Sequence, residues 1–255
     1  MSLNKNFLNE LHAGYTSQGV ALAKNVIPTE IISKAKLEAI KLAKQAHPST
    51  YNECVFWKKQ GDTFFLEKYE PIINNSFVFN ALWRYPSVLQ IVSKILKDST
   101  PNLLKDKLIY KAPGQNGYPL HQDYNWWHSY SKSDLCTVVI PLDRSNEENG
   151  GIEFFLGCHD ECFLPKGENR ALNSEERKKL AHKTSIIFDL NPGDLLIFHS
   201  LTPHFSSRNM SNKHRTQFYP TFCNSKVGQD AYTNQLKTHR RKLTAINNTN
   251  IYCSG

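Results

Sequence analysis

A histidine and an aspartate stand two residues apart in the stretch 117–128, Gly-Tyr-Pro-Leu-His-Gln-Asp-Tyr-Asn-Trp-Trp-His. On an extended strand alternate side chains point to the same face, so His121 and Asp123 would reach the same point. One imidazole and one carboxylate are two of the three ligands of the facial triad that holds non-haem Fe(II) with open positions. The chain has ten histidines, so this pair is weak on its own and needs a second histidine.

Two later histidines follow an apolar, strand-like run. Gly193-Asp194 opens that run, His199 ends it, and His204 comes five residues later. Arg215 lies eleven residues after His204 and begins the next strand-like segment. From the residues alone, His204 is either the missing ligand or an ordinary loop histidine, and Arg215 is either a carboxylate-binding residue or a surface arginine at a strand end.

Helices are predicted only in the N-terminal part of the chain. Residues 15–26 suggest a short strand that leads to a turn. Pro28 and Thr29 then open a helix through about Gln45, and Pro86 begins a second helix, because apolar residues follow at helical spacing in both segments.

Strand-like runs separated by turn signals make up most of the chain from Leu104 onward. Turns fall at Pro113-Gly114, Asn149-Gly150-Gly151 and Asn191-Pro192-Gly193. Many short strands with such turns favour an all-β sandwich or barrel core. The predicted strands are Thr63–Leu66, Lys107–Ala112, Tyr118–Asp123, Leu135–Leu142, Ile152–Leu156, Thr184–Leu190, Asp194–His199 and Thr216–Cys223.

The composition is that of a globular protein of 255 residues, with 40% hydrophobic and 21% charged residues. The formal net charge of +8 could favour an anionic substrate, a nucleic acid or an acidic membrane surface. The basic residues are scattered along the chain, which favours a solvated surface instead.

The six cysteines do not suggest a disulfide scaffold. Cys158 and Cys162 flank a histidine and an aspartate, but no second cysteine pair completes a zinc site, so reduced thiols are expected. The N-terminus lacks the apolar segment of a signal peptide, and no run approaches the roughly 18–20 apolar residues of a membrane span. We therefore expect a soluble, cytoplasmic protein that is not bound to a membrane.

The order of these motifs resembles the phytanoyl-CoA dioxygenase family of Fe(II)/2-oxoglutarate oxygenases. The resemblance covers about 104–223, and it departs from the family pattern at Leu156 and Cys158, where proline and serine are usual. Several motifs in the same order are more specific than any one of them. The matches are His121-Gln122-Asp123, Glu148-Asn149-Gly150-Gly151, Leu156-Gly157-Cys158-His159, Pro192-Gly193-Asp194, Phe198-His199, His204 with Ser206 and Asn209, and Arg215.

The resemblance implies a mainly β fold with flanking helices, built on a double-stranded β-helix core of the jelly-roll, cupin-like kind. A single dioxygenase domain would then span 1–255, with a helical part at about 1–103, the β-helix core at about 104–224 and a polar C-terminal segment at 225–255.

The resemblance also implies a set of site residues. His121, Asp123 and His204 are the expected iron ligands and form the catalytic site, while His199 would support the end of its strand. The expected cofactors are Fe(II), the co-substrate 2-oxoglutarate and O2.

Arg215 meets a second demand of that chemistry, because a buried carboxylate of 2-oxoglutarate needs a charged, hydrogen-bonding partner. By position in the family pattern, Ser206 adds a hydroxyl to this clasp. Tyr110 and Lys111, on the strand before the metal motif, are further candidates for binding 2-oxoglutarate.

An aromatic cluster adjoins the expected ligands and is the candidate substrate-binding region. For any one of its residues, packing beneath a loop is the alternative interpretation. The cluster consists of Tyr118, Tyr124, Trp126, Trp127 and His128.

The expected activity is hydroxylation of a small molecule with release of succinate and CO2. A catalytically silent binding or sensor protein on the same scaffold is the alternative.

The carboxylate of Asp123 argues against the related halogenases, which have a small residue at that position. Nucleic-acid demethylases carry a second arginine where this chain has Thr221, so no nucleic-acid partner is expected. The excess of basic residues mildly favours an anionic substrate, and neither its identity nor the oligomeric state can be inferred.

Overall fold

The computed structural model describes residues 3–50, 52–127, 129–165, 168 and 170–248, with 239 and 241–248 described by their backbone alone. Two antiparallel sheets form its centre. The strands are β1 Val20–Ala23, β2 Val55–Gln60, β3 Thr63–Tyr69, β4 Asn102–Lys111, β5 Leu135–Pro141, β6 Ile152–Phe155, β7 Ser185–Ile187, β8 Leu195–His199, β9 His204–Ser206 and β10 Arg215–Cys223.

The large sheet has the strand order β1-β8-β5-β10-β4-β3-β2. Its centre is β10, every residue of which is buried, and it pairs with β4 on one side and β5 on the other. The pairing with β4 places Arg215 opposite Lys111 and Tyr219 opposite Lys107. Because side chains alternate along a strand, the residues of β10 divide between the two faces of the sheet.

The small sheet has the order β7-β6-β9 and faces the inner side of the large sheet. Apolar side chains from both sheets pack between them, as where the rings of Phe154 on β6 and Phe198 on β8 lie 5.2 Å apart. Polar residues of β4, β9 and β10 lie beside this apolar core, at one end of the space between the sheets. The arrangement is that of the predicted double-stranded β-helix.

The N-terminal helices cover the outer face of the large sheet. Their apolar side chains form the largest buried cluster together with outward residues of the sheet; the rings of Phe79 and Phe218, for example, lie 5.1 Å apart. The helices are α1 Lys5–Gln18, α2 Thr29–Gln45, α3 Phe77–Leu82, α4 Pro86–Leu96, α5 Ser174–Lys178 and α6 Ala231–Asn248.

Helices α2 and α4 were predicted with nearly correct bounds, because an apolar stripe at helical spacing is a strong signal. The strand expected within residues 15–26 is confined to β1, and the prediction is wrong for Tyr15–Gln18, which end α1. Gly19, with φ of +76°, closes that helix in the left-handed conformation that glycine adopts readily. The division of the chain into helical, β-helix and polar C-terminal parts remains a prediction, although α6 now occupies much of the last part.

The strand expected over Tyr118–Asp123 is also wrong. Pro119 lacks an N–H group for a ladder, and only His121 forms a bridge, with His204. Asp123 already begins a short 3-10 turn that continues to Trp126.

Among the described residues, no helix is both long enough and apolar enough to cross a membrane.

Candidate metal centre

Three potential metal ligands converge at one end of the space between the sheets. Ligand atoms of His121, Asp123 and His204 all lie within 4.8 Å of one another. The Nε2 atom of His121 is 3.7 Å from Oδ1 of Asp123, and the two imidazole centroids are 4.3 Å apart at an angle of 51°. Two histidines and one carboxylate in this arrangement are the donor set of the facial triad of non-haem iron.

Both histidines present the same nitrogen to the centre. Nδ1 of His121 is 2.7 Å from the carbonyl oxygen of Pro119, and Nδ1 of His204 is 2.9 Å from that of Thr202. A carbonyl can only accept, so each Nδ1 carries the proton and each Nε2 keeps its lone pair for a metal. Such bonds fix the tautomer and the ring orientation of metal-binding histidines.

Asp123 is buried beneath the histidines. The hydroxyl of Thr137 donates to its Oδ2 at 3.4 Å and lies 3.0 Å from the hydroxyl of Thr221. Burial alone would raise the pKa of the Asp123 carboxyl, but the positive charge of Lys107 and the contacts with the two histidines outweigh burial and hold the pKa well below its usual range. The carboxylate is therefore ionised and ready to bind a cation.

Burial lowers the pKa of His204 to about 3, and the neighbouring His121 adds to the shift. The His204 imidazole is thus neutral at neutral pH, which is the form that binds metals.

His199 lies outside this group of three. Its ring contacts those of Tyr15 and His159, and its Nδ1 accepts the backbone N–H of Leu201 at 3.1 Å. Burial, followed by the nearby His159, lowers its pKa to about 4. These contacts fit the expected supporting role at the end of β8.

Gln122 points away from its two neighbours in the triad, as expected. Its amide nitrogen donates to the carbonyls of Glu161 and Leu201, and its amide oxygen accepts the backbone N–H of Phe163. This fully buried side chain ties the segment that carries the triad to two other loops.

Arg215 lies in the same cavity as the two histidines, at the start of β10. It is 1% exposed, and its Nε and Nη1 atoms have no hydrogen-bond partner among the described residues. Burial lowers the pKa of Arg215, but a guanidinium remains charged at neutral pH. Burying such a charge is costly unless an anion completes the site, so the unpaired nitrogens fit a carboxylate of a bound molecule.

Lys111 and Ser206 lie beside Arg215. Lys111 Nζ donates to the hydroxyl of Ser206 at 2.8 Å and to the carbonyls of Gly150 and Ser207 at 2.9 and 2.7 Å. Burial, with the charge of Arg215 next, lowers the pKa of Lys111 to about 6. The Ser206 hydroxyl also accepts the backbone N–H of Tyr118 at 3.1 Å, so its own proton is left to donate elsewhere.

Tyr110 does not reach the cavity. Its hydroxyl donates to the carbonyl of Ala39 in α2, and its ring packs in the cluster beneath the helices. Tyr110 alternates with Ile109 and Lys111 and so points to the opposite face of β4. The expected contact of Tyr110 with 2-oxoglutarate does not fit this position.

The aromatic cluster divides into two groups. Trp126 stands edge-on to His121 at 5.7 Å and is 40% exposed, and Tyr118 lines the cavity. Tyr124 and Trp127 instead pack with Leu104 and other apolar residues away from the cavity, which is the alternative considered for them. His128 lies outside the described residues.

Lys107 and Tyr219 line the cavity and were missed at the level of sequence. Lys107, Ile109 and Lys111 alternate along β4, so the same period that directs Lys111 inward directs Lys107 inward too. This alternation is visible in the sequence, but it places Lys107 in the cavity only once the pairing of β4 with β10 is known.

The sequence profile of the phytanoyl-CoA dioxygenase (PhyH) family matches residues 15–217. The chain belongs to this family. That match confirms the resemblance inferred from the motifs, and it also covers most of the helical N-terminal part.

Among curated relatives, 2-aminoethylphosphonate dioxygenase of an uncultured bacterium is 30% identical over 127 residues, which are 50% of this chain and 47% of the relative. Methylphosphonate hydroxylase of Gimesia maris is 28% identical over 147 residues, covering 58% and 54% of the two chains. The matches thus span about half the length of these relatives.

Solved structures with the same fold have much lower sequence identity. EctD from S. alaskensis with 2-oxoglutarate and 5-hydroxyectoine superposes with a TM-score of 0.76 at 15% identity, covering 88% of this chain and 79% of EctD. The epimerase SnoN in complex with Fe3+, alpha ketoglutarate and nogalamycin RO gives 0.74 at 16% identity, covering 87% and 85%. The predicted fold class is confirmed, as are iron and 2-oxoglutarate as the cofactors of the family to which the chain belongs.

Proposed function

We propose that this protein is an Fe(II)- and 2-oxoglutarate-dependent dioxygenase that hydroxylates a small molecule. The observation that carries the proposal is the placement of a two-histidine, one-carboxylate triad and a buried arginine with two unpaired nitrogens in one cavity. A structural arginine would have its hydrogen-bonding groups satisfied by the protein.

In this proposal His121, Asp123 and His204 hold the metal. Arg215 would bind the distal carboxylate of 2-oxoglutarate through its free nitrogens, with the proton of Ser206 as a further donor. Lys111 would act indirectly, by fixing the position of the Ser206 hydroxyl.

Bound Fe(II) would couple the reduction of O2 and the decarboxylation of 2-oxoglutarate to succinate and CO2 with hydroxylation of a substrate C–H bond. The chain's own contribution is geometric and electrostatic. It keeps the imidazole of His204 neutral and keeps Asp123 ionised.

The substrate is proposed to be small, and Tyr118 and Trp126 are its proposed contacts. The names of the two curated relatives make 2-aminoethylphosphonate and methylphosphonate the first compounds to try.

The proposed location is the cytoplasm, where thiols stay reduced. The free thiols of Cys54 and Cys162 are compatible with that setting.

Succinate release tests the proposal. Wild type with Fe(II), O2 and 2-oxoglutarate should release succinate, faster when a substrate is present, and His204→Ala should release none above background. If wild type binds neither metal nor 2-oxoglutarate, the proposal fails. If wild type binds both but does not release succinate with any candidate, the silent binding protein becomes the better interpretation.

A further inference from the structure

One lysine of the cavity has no assigned partner. Lys107 lies on β4 opposite Tyr219 of β10 and lines the cavity with both triad histidines and Arg215. Its Nζ atom is 5.3 Å from the centre of the Tyr219 ring. Among the described residues it forms no hydrogen bond and no ion pair.

The neighbouring lysines are bound, in contrast. Lys68, which also lines the cavity, pairs with Glu70 at 2.7 Å, and Lys105 pairs with the other oxygen of the same carboxylate at 2.6 Å. Lys111 has three oxygen partners. Because Glu70 is shared by two lysines, these three side chains keep a net positive charge, and the charge of Glu70 acts on Lys107 only at a distance.

The position of Lys107 separates it from the carboxylate-binding end of the cavity. Tyr219 lies four residues after Arg215 on β10, which corresponds to roughly 13 Å between their Cα atoms. Lys107 therefore sits towards the metal end, where Asp123 is the negative group that acts on it most strongly. Burial lowers the pKa of Lys107 and Asp123 opposes that shift, so an additional anion nearby would stabilise the ammonium form.

A balance of charge in the loaded cavity leaves Lys107 uncompensated. The positive charges of a divalent metal and Arg215 are matched by Asp123 and the two carboxylates of 2-oxoglutarate. In the proposed function one of those carboxylates faces Arg215 and the other binds the metal, so neither is assigned to Lys107. Lys107 is half-buried. A partly desolvated cation without a counter-ion is unfavourable, and a second bound molecule can supply the missing anion.

We propose that Lys107 binds an oxyanion group of the primary substrate, a phosphonate or a carboxylate, and holds it beside the metal centre. The inference rests on the proposed function and adds to it the chemical class of the substrate and the residue that selects it. Ile109 and Ile152 give the same cavity apolar walls.

Anaerobic protein loaded with Fe(II) and 2-oxoglutarate provides a test with two readouts. The charge-transfer absorption of the Fe(II)–2-oxoglutarate complex reports co-substrate binding. Calorimetric titration then measures the binding of the probes, which are 2-aminoethylphosphonate, methylphosphonate, the carboxylate analogue 3-aminopropanoate and the uncharged control 2-aminoethanol.

Three variants separate the charge of Lys107 from its bulk and from the net charge of the protein. Lys107→Met keeps the length without the charge, and Lys107→Arg keeps the charge. Lys178→Met removes an equal charge from an exposed ion pair of α5. We expect wild type and Lys178→Met to bind at least one oxyanion probe in preference to 2-aminoethanol.

Lys107→Met should lose about tenfold or more of that affinity, as expected for a hydrogen bond to a charged group, and Lys107→Arg should recover part of it. The absorption of the 2-oxoglutarate complex should be unchanged in all three variants. Equal oxyanion affinity in Lys107→Met and wild type would overturn the inference, as would a wild type that binds none of the oxyanions.

Loss of the 2-oxoglutarate absorption in Lys107→Met would assign the lysine to the co-substrate and also overturn the inference. A wild type without that absorption would instead count against the proposed function, and the inference would fall with it. The two failures are therefore distinguishable.

Discussion

His121 and His204 exchange a pair of backbone hydrogen bonds, in which the N–H of each donates to the carbonyl of the other at 3.0 Å. This single bridge sets the two imidazoles 4.3 Å apart although the residues are far apart in the chain. Side chains of directly paired residues lie on the same face. One ladder step therefore brings two of the three proposed ligands together.

His204→Ala should abolish tight binding of Fe(II) or Mn(II). Its affinity loss should exceed the roughly 10–100-fold typical of removing a residue that only supports a ligand. Metal titration followed by calorimetry measures it. His199→Ala is the matched control, since His199 is also a buried histidine but lies outside the triad, and it should bind metal within a few-fold of wild type. Equal losses in the two variants would contradict the assignment.

Arg215→Met should weaken 2-oxoglutarate binding by about 100-fold or more, because a bidentate, charge-assisted contact is lost. Mn(II) affinity should be unchanged, which calorimetry of the two ligands in turn can verify. Arg215→Lys should be intermediate, since an ammonium offers a point charge and no planar fork.

The same variant discriminates a binding arginine from a structural one. Without ligands, Arg215→Met should be as stable as wild type or more stable by about 1–3 kcal/mol, because it removes a buried charge with unpaired nitrogens. A large loss of stability in chemical denaturation would mean that the arginine supports the fold.

The stability of the metal-free protein should fall as the pH is lowered from about 7 to about 4. A histidine has a pKa of about 6.5 in the unfolded chain, whereas that of buried His199 is about 4. Between these values the unfolded state binds a proton that the folded state does not, which costs up to roughly 3 kcal/mol for His199. His204 acts in the same direction.

Urea denaturation at a series of pH values in the presence of a chelator measures this slope. His199→Gln should have a shallower dependence on pH, and substitution of the exposed His182 by glutamine should leave the slope as in wild type. If the unfolding free energy of His199→Gln depends on pH as steeply as that of wild type, burial of His199 is not a cause of the pH dependence.

Gly117→Ala should destabilise the protein by about 2–3 kcal/mol, in the range of overpacked sites. A Cβ atom at Gly117 would lie 1.7 Å from the carbonyl oxygen of Ser206, so the segment that leads to His121 would have to move away from β9. Metal affinity should fall as well, because the bridge between the triad histidines follows directly.

Gly14→Ala is the control for that substitution. Gly14 lies within α1, and the nearest atom to a new Cβ is 4.0 Å away. Alanine in a helix should stabilise the protein by about 0.5–1 kcal/mol. Thermal unfolding of both variants tests the pair, and a Gly117→Ala variant as stable as Gly14→Ala would contradict the close approach.

The sequence by itself determined the local elements with strong periodic signals and the residue types of the site. The stripes of α2 and α4 and the runs of β5, β8 and β10 were predicted close to their observed bounds, whereas β4 begins five residues earlier than predicted. The spacing of His121 and Asp123, with His204 and Arg215 downstream, was sufficient to suggest the chemistry. Helix α1 and strands β2 and β9 were not predicted, because their patterns are short or weakly apolar.

Tertiary structure alone decided which side chains meet. Tyr110 and Lys111 are neighbours in sequence, yet the alternation of β4 sends one to the helices and the other to the cavity. The same alternation, read together with the pairing of β4 and β10, brings Lys107 to the metal end. Whether the site's side chains come together depends on which strands pair and in which register. Long-range packing sets both, and the local sequence pattern carries no information about it.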